Sequence, residues 1–128
     1  METLAIKKTK TTPQIKFDKR SGVLEISGRS IPENSSKFYE PILKWIDKYN
    51  LEPSKQTILK IYLEYFNTSS SKYLYEIFKR FEELHNRDDE NSVRIEWFYE
   101  KGVEELAETG EDYGDIINIP FDIKIYDD

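Results

Sequence analysis

Apolar and polar residues alternate in several short stretches of the chain, which is the pattern of half-buried β-strands. The first two stretches, residues 15–18 and 23–26, flank the turn Lys19-Arg20-Ser21-Gly22 and together predict a hairpin. Residues 57–66, 93–99 and 119–125 repeat the period of two. The pattern therefore predicts five strands, each with one drier face.

Three other stretches place apolar residues at helical spacing. The first helix is predicted to begin at the capping side chains of residues 33–36 and to end near Asn50. Pro41 is expected in its first turn, where a missing N–H has no helical partner to lose. The second helix is predicted between the hydroxyl-rich residues 67–71 and the polar gap at 86–91, and a shorter third helix over residues 103–117.

The predicted order of elements is β-β-α-β-α-β-α-β. Strands separated by helices favour parallel pairing with right-handed crossovers, whereas the first hairpin is antiparallel, so the sheet is expected to be mixed. Because the strands alternate and are not apolar throughout, the helices are expected mainly on one face. We predict a single α/β domain over residues 13–128, preceded by a flexible leader over residues 1–12.

The composition and net charge of the chain exclude or disfavour several classes of protein and site. A chain of 128 residues suits one domain, and 2 Trp, 9 Tyr and 7 Phe exclude a disordered tail. A net charge of −6 disfavours binding to nucleic acid or to an anionic membrane. The absence of cysteine excludes disulfides and thiolate chemistry, and a single histidine, His85, excludes a multi-histidine metal site. With no secretion signal and no membrane-spanning stretch, the cytoplasm is the expected location.

Four consecutive hydroxyl side chains, Thr68-Ser69-Ser70-Ser71, stand where a predicted strand gives way to the second predicted helix. The first N–H groups of a helix lack internal partners, and the helix dipole adds about half a positive charge there, so the position favours an anion such as phosphate. Taken alone, the segment favours simple capping by Asn67, Thr68 or Ser69, since these are preferred N-cap residues. Four hydroxyls exceed what one cap requires, and the two roles can coexist.

The sequence resembles the SiaC family of bacterial regulatory phosphoproteins over nearly its whole length. The resemblance is carried by an ordered set of short motifs, none of them decisive alone, which includes the segment Tyr65-Phe66-Asn67-Thr68-Ser69-Ser70-Ser71-Lys72. The motifs lie at residues 12–13, 17–18, 21–26, 30–34, 38–39, 41, 45, 65–72, 97–100 and 110–112.

The resemblance implies a fold similar to STAS domains and anti-sigma-factor antagonists. It also implies that Thr68 accepts a phosphate from a dedicated protein kinase and loses it to a metal-dependent phosphatase, with Asn67, Ser69 and Ser70 shaping the site. The unphosphorylated form is expected to bind and activate a diguanylate cyclase. The protein would then be a non-enzymatic adaptor without a cofactor or metal of its own.

Residues Pro32, Glu33 and Asn34 are a second candidate for partner binding, although a turn followed by a helix cap explains them too. An alternative client is an anti-sigma factor, since the fold class includes antagonists of such proteins.

An enzyme is a third possibility, with Glu33, Glu111 or Asp112 as acid or base, but no acid pair has a diagnostic spacing. Gly110-Glu111-Asp112 with Asp115 could supply oxygen ligands to a cation. No Ca²⁺-loop spacing is present, so a solvated loop is the expected structure there.

Overall fold

A computed structural model describes residues 3–87 and 90–126, and these form one α/β domain with three helices and a six-stranded mixed sheet. In chain order the elements are β1 (Leu4–Ile6), β2 (Gln14–Asp18), β3 (Val23–Ser30), α1 (Ser35–Tyr49), β4 (Gln56–Phe66), α2 (Thr68–Arg87), β5 (Ser92–Glu100), α3 (Glu104–Ile116) and β6 (Phe121–Tyr126).

The strands lie in the sheet in the order of the sequence. β1, β2 and β3 pair antiparallel, and β3, β4, β5 and β6 pair parallel, with one helix in each parallel connection. Each connection moves one strand in the same direction, so crossovers of one hand place all three helices on the same face of the sheet. The prediction of a mixed sheet with helices mainly on one face is confirmed.

The core lies between this face and the helices. In β4, Leu59, Ile61 and Leu63 point into the core, whereas Lys60 and Tyr62 on the opposite face are only half-buried. The buried hydrophobic residues come mainly from the three helices and from the strands β2 to β5, and four polar residues are buried as well: Ser30, Thr57, Ser70 and Glu96. The alternation of apolar and polar residues in the strands therefore arises because helices cover one face of the sheet and leave the other face open.

One strand was not predicted. Residues 1–12 were predicted to form a leader without a strand, but Leu4–Ile6 pairs antiparallel with β2, with Leu4 opposite Phe17 and Ile6 opposite Ile15. Leu4 and Ile6 pack against the core, so pairing and burial fix a segment whose own sequence is rich in lysine and threonine. Three residues are too few for a period of two to be recognised.

Helix α1 begins earlier relative to Pro41 than expected. Asn34 is its N-cap, because the Asn34 side-chain oxygen accepts a hydrogen bond of 3.1 Å from the Lys37 N–H. Pro41 therefore lies inside the helix in its second turn, and the first-turn prediction is wrong. The missing N–H of Pro41 leaves the carbonyl of Lys37 without its helical donor, and the exposure of both residues lets water take that place.

Two boundaries also shift. Helix α2 continues through Asn86 to Arg87 into the predicted polar gap, and β6 begins at Phe121, after a buried Ile119 that lies outside the strand. Element ends are set by the last backbone hydrogen bonds, which composition alone does not specify.

Candidate functional site

The hydroxyl-rich segment lies where the carboxyl ends of two parallel strands meet the amino ends of two helices. Ser30 at the end of β3 is the register partner of Phe66 at the end of β4. Asn67 is the single residue between β4 and α2, and its backbone N–H donates to the Ser30 carbonyl at 3.0 Å. The chain therefore turns directly from the sheet into the helix.

Asn67 caps α2. Its side-chain oxygen accepts hydrogen bonds from the Ser70 N–H at 2.9 Å and from the Ser69 hydroxyl at 3.1 Å. Asparagine is among the preferred N-cap residues, and a single side chain satisfies the need. Capping thus belongs to Asn67, and Thr68 is the first residue of the helix.

The four hydroxyls of the run differ in their partners. Ser69 and Ser70 bond to other side chains, and the Ser71 hydroxyl donates to the Thr68 carbonyl at 2.7 Å. The Thr68 side chain is exposed, and its hydroxyl makes no hydrogen bond to any residue in 3–87 or 90–126. Within that part of the chain, Thr68 presents the free hydroxyl of the run.

The hydroxyls of Ser35 and Ser69 form a contact that links α1 to α2 on the surface. Their oxygens are 2.5 Å apart, and Ser69 already donates its proton to the Asn67 side chain. Ser35 must therefore be the donor to Ser69. This exposed hydroxyl chain, Ser35 to Ser69 to Asn67, holds the starts of the two helices together beside Thr68.

A second, buried hydroxyl chain lies beneath the first turn of α2. The Ser70 hydroxyl donates to the Ser30 carbonyl at 2.9 Å, so in the 2.7 Å contact between the two hydroxyls Ser30 must donate to Ser70. The Tyr39 hydroxyl then donates to Ser30 at 2.5 Å. Burial raises the pKa of Tyr39 although the serine hydrogen bonds act to lower it, so Tyr39 stays a neutral donor.

Helix α3 also contacts the first turn of α2. The Tyr113 hydroxyl donates to the Ser71 carbonyl at 2.9 Å, and its ring meets Phe78 edge-on at 5.0 Å between centroids. Burial raises the pKa of Tyr113 to about 12. The start of α2 is therefore anchored to α1, β3 and α3, and it presents Thr68 on a fixed platform.

The segment 32–34 divides by role. Pro32 is buried and Asn34 caps α1, so both residues stabilise the local structure. Glu33 lies between them and is exposed. Glu33 stands two residues before Ser35, whose hydroxyl reaches Ser69. Partner binding by Pro32, Glu33 and Asn34 stays a prediction, and Glu33 is the member with a side chain available for it.

The acidic segment near Gly110 is helical. Gly110, Glu111, Asp112 and Asp115 all lie in α3, so the expectation of a solvated loop is wrong. Gly110 packs against Trp97, and the helical spacing continues through it. Across residues 3–87 and 90–126 no group of three or more His, Asp or Glu side chains is placed to hold a metal ion. No helix in the same ranges is long and apolar enough to cross a membrane.

Sequence reasoning missed Ser30, Ser35, Tyr39 and Tyr113. Ser30 and Ser70 are 40 positions apart, and Ser35 and Ser69 are 34 apart, so no local spacing connects them. The sequence does contain a weak signal for Ser30. Ser30 is polar, whereas Leu24 and Ile26, which face the core from the same strand, are apolar. Buried polar groups of this kind require a partner.

The chain is similar to known proteins over nearly its whole length. Residues 6–126 match the sequence model of SiaC family regulatory phosphoproteins. An uncharacterized protein of Pseudomonas aeruginosa (strain UCBPP-PA14) is 32% identical over 128 residues, covering 100% of both chains.

Solved structures are similar too. The crystal structure of the P. aeruginosa diguanylate cyclase SiaD in complex with its activator SiaC contains a chain that matches with a TM-score of 0.90 and 31% identity, over 96% of this chain and 99% of that one. Apo-SiaC of P. aeruginosa matches with a TM-score of 0.86 and 32% identity, over 97% and 99% of the two chains.

Proposed function

The chain belongs to the SiaC family of regulatory phosphoproteins, and we propose that it is a switchable adaptor in which Thr68 is the phosphorylation site. In the unphosphorylated state it binds and activates a diguanylate cyclase. A protein kinase adds the phosphate and a metal-dependent phosphatase removes it. The chemistry at Thr68 is carried out by these partners, and the protein itself acts by binding.

The observation that carries the proposal is the state of the Thr68 hydroxyl. It is exposed at the first position of α2, and of the four hydroxyls in the run it is the one without a hydrogen bond to the residues in 3–87 and 90–126. A kinase must reach the oxygen and must not have to break a folded interaction to use it. Ser69, Ser70 and Ser71 each fail the second condition.

The position also suits the product. A phosphate on Thr68 brings about −1.5 to −2 charges to the positive end of the α2 dipole, where negative charge is stabilised. Asn67 and Ser70 shape the site from below by fixing the helix start, and Ser69 borders it. Because the first turn is anchored to three elements, phosphorylation need not move the backbone. The dianion can exclude a partner by charge, bulk and desolvation.

The proposed client, a diguanylate cyclase, is inferred from the similarity of this chain to P. aeruginosa SiaC. P. aeruginosa SiaC is described as the activator of SiaD in their complex, and it resembles this chain over nearly the full length of both. That complex favours a cyclase over an anti-sigma factor as the client. The exposed surface around Thr68, with Glu33 and the exposed hydroxyl chain beside it, is the surface we assign to docking. Since the kinase requires ATP, the proposal places the module in the cytoplasm.

The site assignment is tested by incubating the protein with its cognate kinase and ATP, followed by intact-mass measurement and peptide mapping. We expect one phosphate, on Thr68, and none on Thr68→Ala. Ser71→Ala is the matched control and should accept the phosphate like the wild type. Phosphate on another residue, or an unchanged mass increase in Thr68→Ala, would show that the assignment is wrong.

A further inference from the structure

The outer side of β6 is an unpaired sheet edge. On its inner side, Ile95 N–H donates to the Pro120 carbonyl at 3.0 Å and Lys101 N–H donates to the Tyr126 carbonyl at 3.3 Å. In a parallel ladder the N–H and carbonyl of one residue point to the same side, so even-numbered residues of this segment face β5. The backbones of Phe121, Ile123 and Ile125 consequently face outward. β6 is the last strand of the sheet in the part of the chain that the structure describes.

The two edges of the sheet are protected differently. β1 is only three residues long and is followed by Lys7, Lys8 and Lys10, and short strands with nearby lysines are common protections against unwanted pairing. β6 has six residues and contains no proline.

The charged side chains of β6 do not guard its edge. Lys124 Nζ lies 2.9 Å from Glu96 Oε2, and Asp122 Oδ2 lies 3.9 Å from Arg94 Nε, so both point back towards β5. Glu96 is only 5% exposed beneath these partners. The β6 edge is therefore the one open to an added strand.

Apolar surface accompanies this edge. Ile125 is 52% exposed in β6, and Ile116 is 60% exposed at the end of α3. A groove of about 270 Å³ runs between α3 and β6. Its lining combines apolar side chains of the edge with carboxylates of the helix: Glu111, Gly114, Asp115, Ile119, Phe121 and Ile123.

The helix beside the groove carries uncompensated negative charge. Four carboxylates form one stripe along α3 at spacings of four, three and four residues: Glu104, Glu108, Glu111 and Asp115. We call this set the acidic stripe. The helix has no basic residue, and none of the stripe's carboxylates forms an ion pair with residues in 3–87 or 90–126.

Like charges at helical neighbour positions repel, and Asp115, near the carboxyl end, also opposes the helix dipole. A basic ligand would relieve the repulsion between neighbouring carboxylates of the stripe.

We propose that the β6 edge and the acidic stripe together bind an extended, lysine- or arginine-bearing segment of a partner protein by strand addition. The outward backbone groups of Phe121, Ile123 and Ile125 supply main-chain hydrogen bonds, and the stripe selects basic side chains on the strand's helix-facing side. This surface lies on β6 and α3 and does not use the Thr68 hydroxyl, so the inference stands independently of the proposed switch.

The strand addition is tested with a short, blocked peptide in which lysine alternates with valine. Titration into the 15N-labelled protein should shift the amide signals of Phe121, Ile123 and Ile125 before others. Ile125→Pro removes an outward N–H without touching the ladder to β5, a position at which edge strands tolerate proline. Ile125→Ala is the matched control, since it removes the exposed side chain and keeps the N–H. We expect peptide binding to be lost in Ile125→Pro and retained in Ile125→Ala.

Charge selection is tested on the same peptide. Glu111→Lys and Asp115→Lys should each weaken binding about fivefold, the upper range for an exposed ion pair. Asp112→Lys changes the same charge on α3 outside the groove lining and should bind nearly as the wild type. A peptide with glutamate in place of lysine should not bind.

The inference is overturned if the lysine peptide leaves the β6 amides unshifted, or if Ile125→Pro binds it as well as Ile125→Ala. It is also overturned if the glutamate peptide binds equally. Concentration-dependent self-association of the protein alone, abolished by Ile125→Pro, would show that a second copy of this chain occupies the edge instead.

Discussion

Ser70 ties the first turn of α2 to the end of β3. Its hydroxyl donates to the Ser30 carbonyl and accepts from the Ser30 hydroxyl, and all of these groups are buried. Because each hydroxyl has one proton to donate, the donors of the buried hydroxyl chain run in one direction: Tyr39 donates to Ser30, and Ser30 donates to Ser70. Loss of the last acceptor leaves a buried O–H donor unsatisfied, which is more costly than loss of a hydrogen bond at the surface.

Ser70→Ala is accordingly expected to lower the free energy of unfolding by about 1–3 kcal/mol, because it leaves the Ser30 hydroxyl without an acceptor. Ser71→Ala is the neighbouring control. Among the residues that the structure describes, its hydroxyl bonds to the Thr68 carbonyl alone, near the surface, so a change within about 0.5 kcal/mol is expected. Urea denaturation of both variants measures the difference. Equal losses would contradict the direction assigned to the buried chain.

How far the site could be predicted at this scale depends on distance along the chain. The junction between β4 and α2 and the start of that helix follow from local pattern and were located correctly. Which hydroxyl is free does not follow, because the partners of Ser69 and Ser70 are Ser35 and Ser30, far away in sequence. Ser69 and Ser71 also have local partners, Asn67 and Thr68, but the partner that occupies the Ser70 hydroxyl is supplied by the tertiary fold.

Helix α3 is held to the sheet by an unusually close approach. A Cβ on Gly110 would come within 2.5 Å of Trp97 Cδ1, and the Trp97 indole N–H donates to the Leu106 carbonyl at 2.9 Å. Glycine is unfavourable inside a helix, so its presence here reflects the space that Trp97 needs. The position of α3 matters because Tyr113, three residues further on, reaches the first turn of α2.

Gly110→Ala is expected to lower the free energy of unfolding by about 1–3 kcal/mol, because the helix must move off the indole ring. Gly114→Ala in the same helix is the matched control, since its Cβ would meet Phe121 Cδ1 at 3.4 Å. That is an ordinary van der Waals distance, so Gly114→Ala should gain about 1 kcal/mol from helix propensity. Thermal unfolding of the two variants compares them. A Gly110→Ala protein as stable as Gly114→Ala would rule out this packing argument.

Helices and strands were predicted correctly where the periodic pattern of apolar residues is long. The prediction failed where contacts with other parts of the fold determine the local structure. The helices α1, α2 and α3 and the strands β2 to β6 follow from their spacing. β1 is fixed by pairing with β2, not by its own sequence, and Pro41 is tolerated in the second turn of α1 at an exposed position. Neither outcome is encoded in a local pattern.

Across the whole molecule, the topology explains why the proposed phosphorylation site lies at the carboxyl ends of the parallel strands. Sequential parallel strands with all helices on one face bring the starts of α1 and α2 together at the ends of β3 and β4. Phosphorylation changes the net charge only from −6 to about −8. Since exposed charges are screened over about 8 Å at physiological ionic strength, the effect is confined to the surface around Thr68.

The decisive measurement is the affinity of the diguanylate cyclase for this protein in its unmodified form and in a form fully phosphorylated on Thr68, by titration calorimetry. Thr68→Ala carried through the kinase reaction is the control and should bind like the unmodified protein. We predict that phosphorylation weakens binding at least about tenfold, or about 1.4 kcal/mol. Equal affinity of the unmodified and phosphorylated forms would contradict the account.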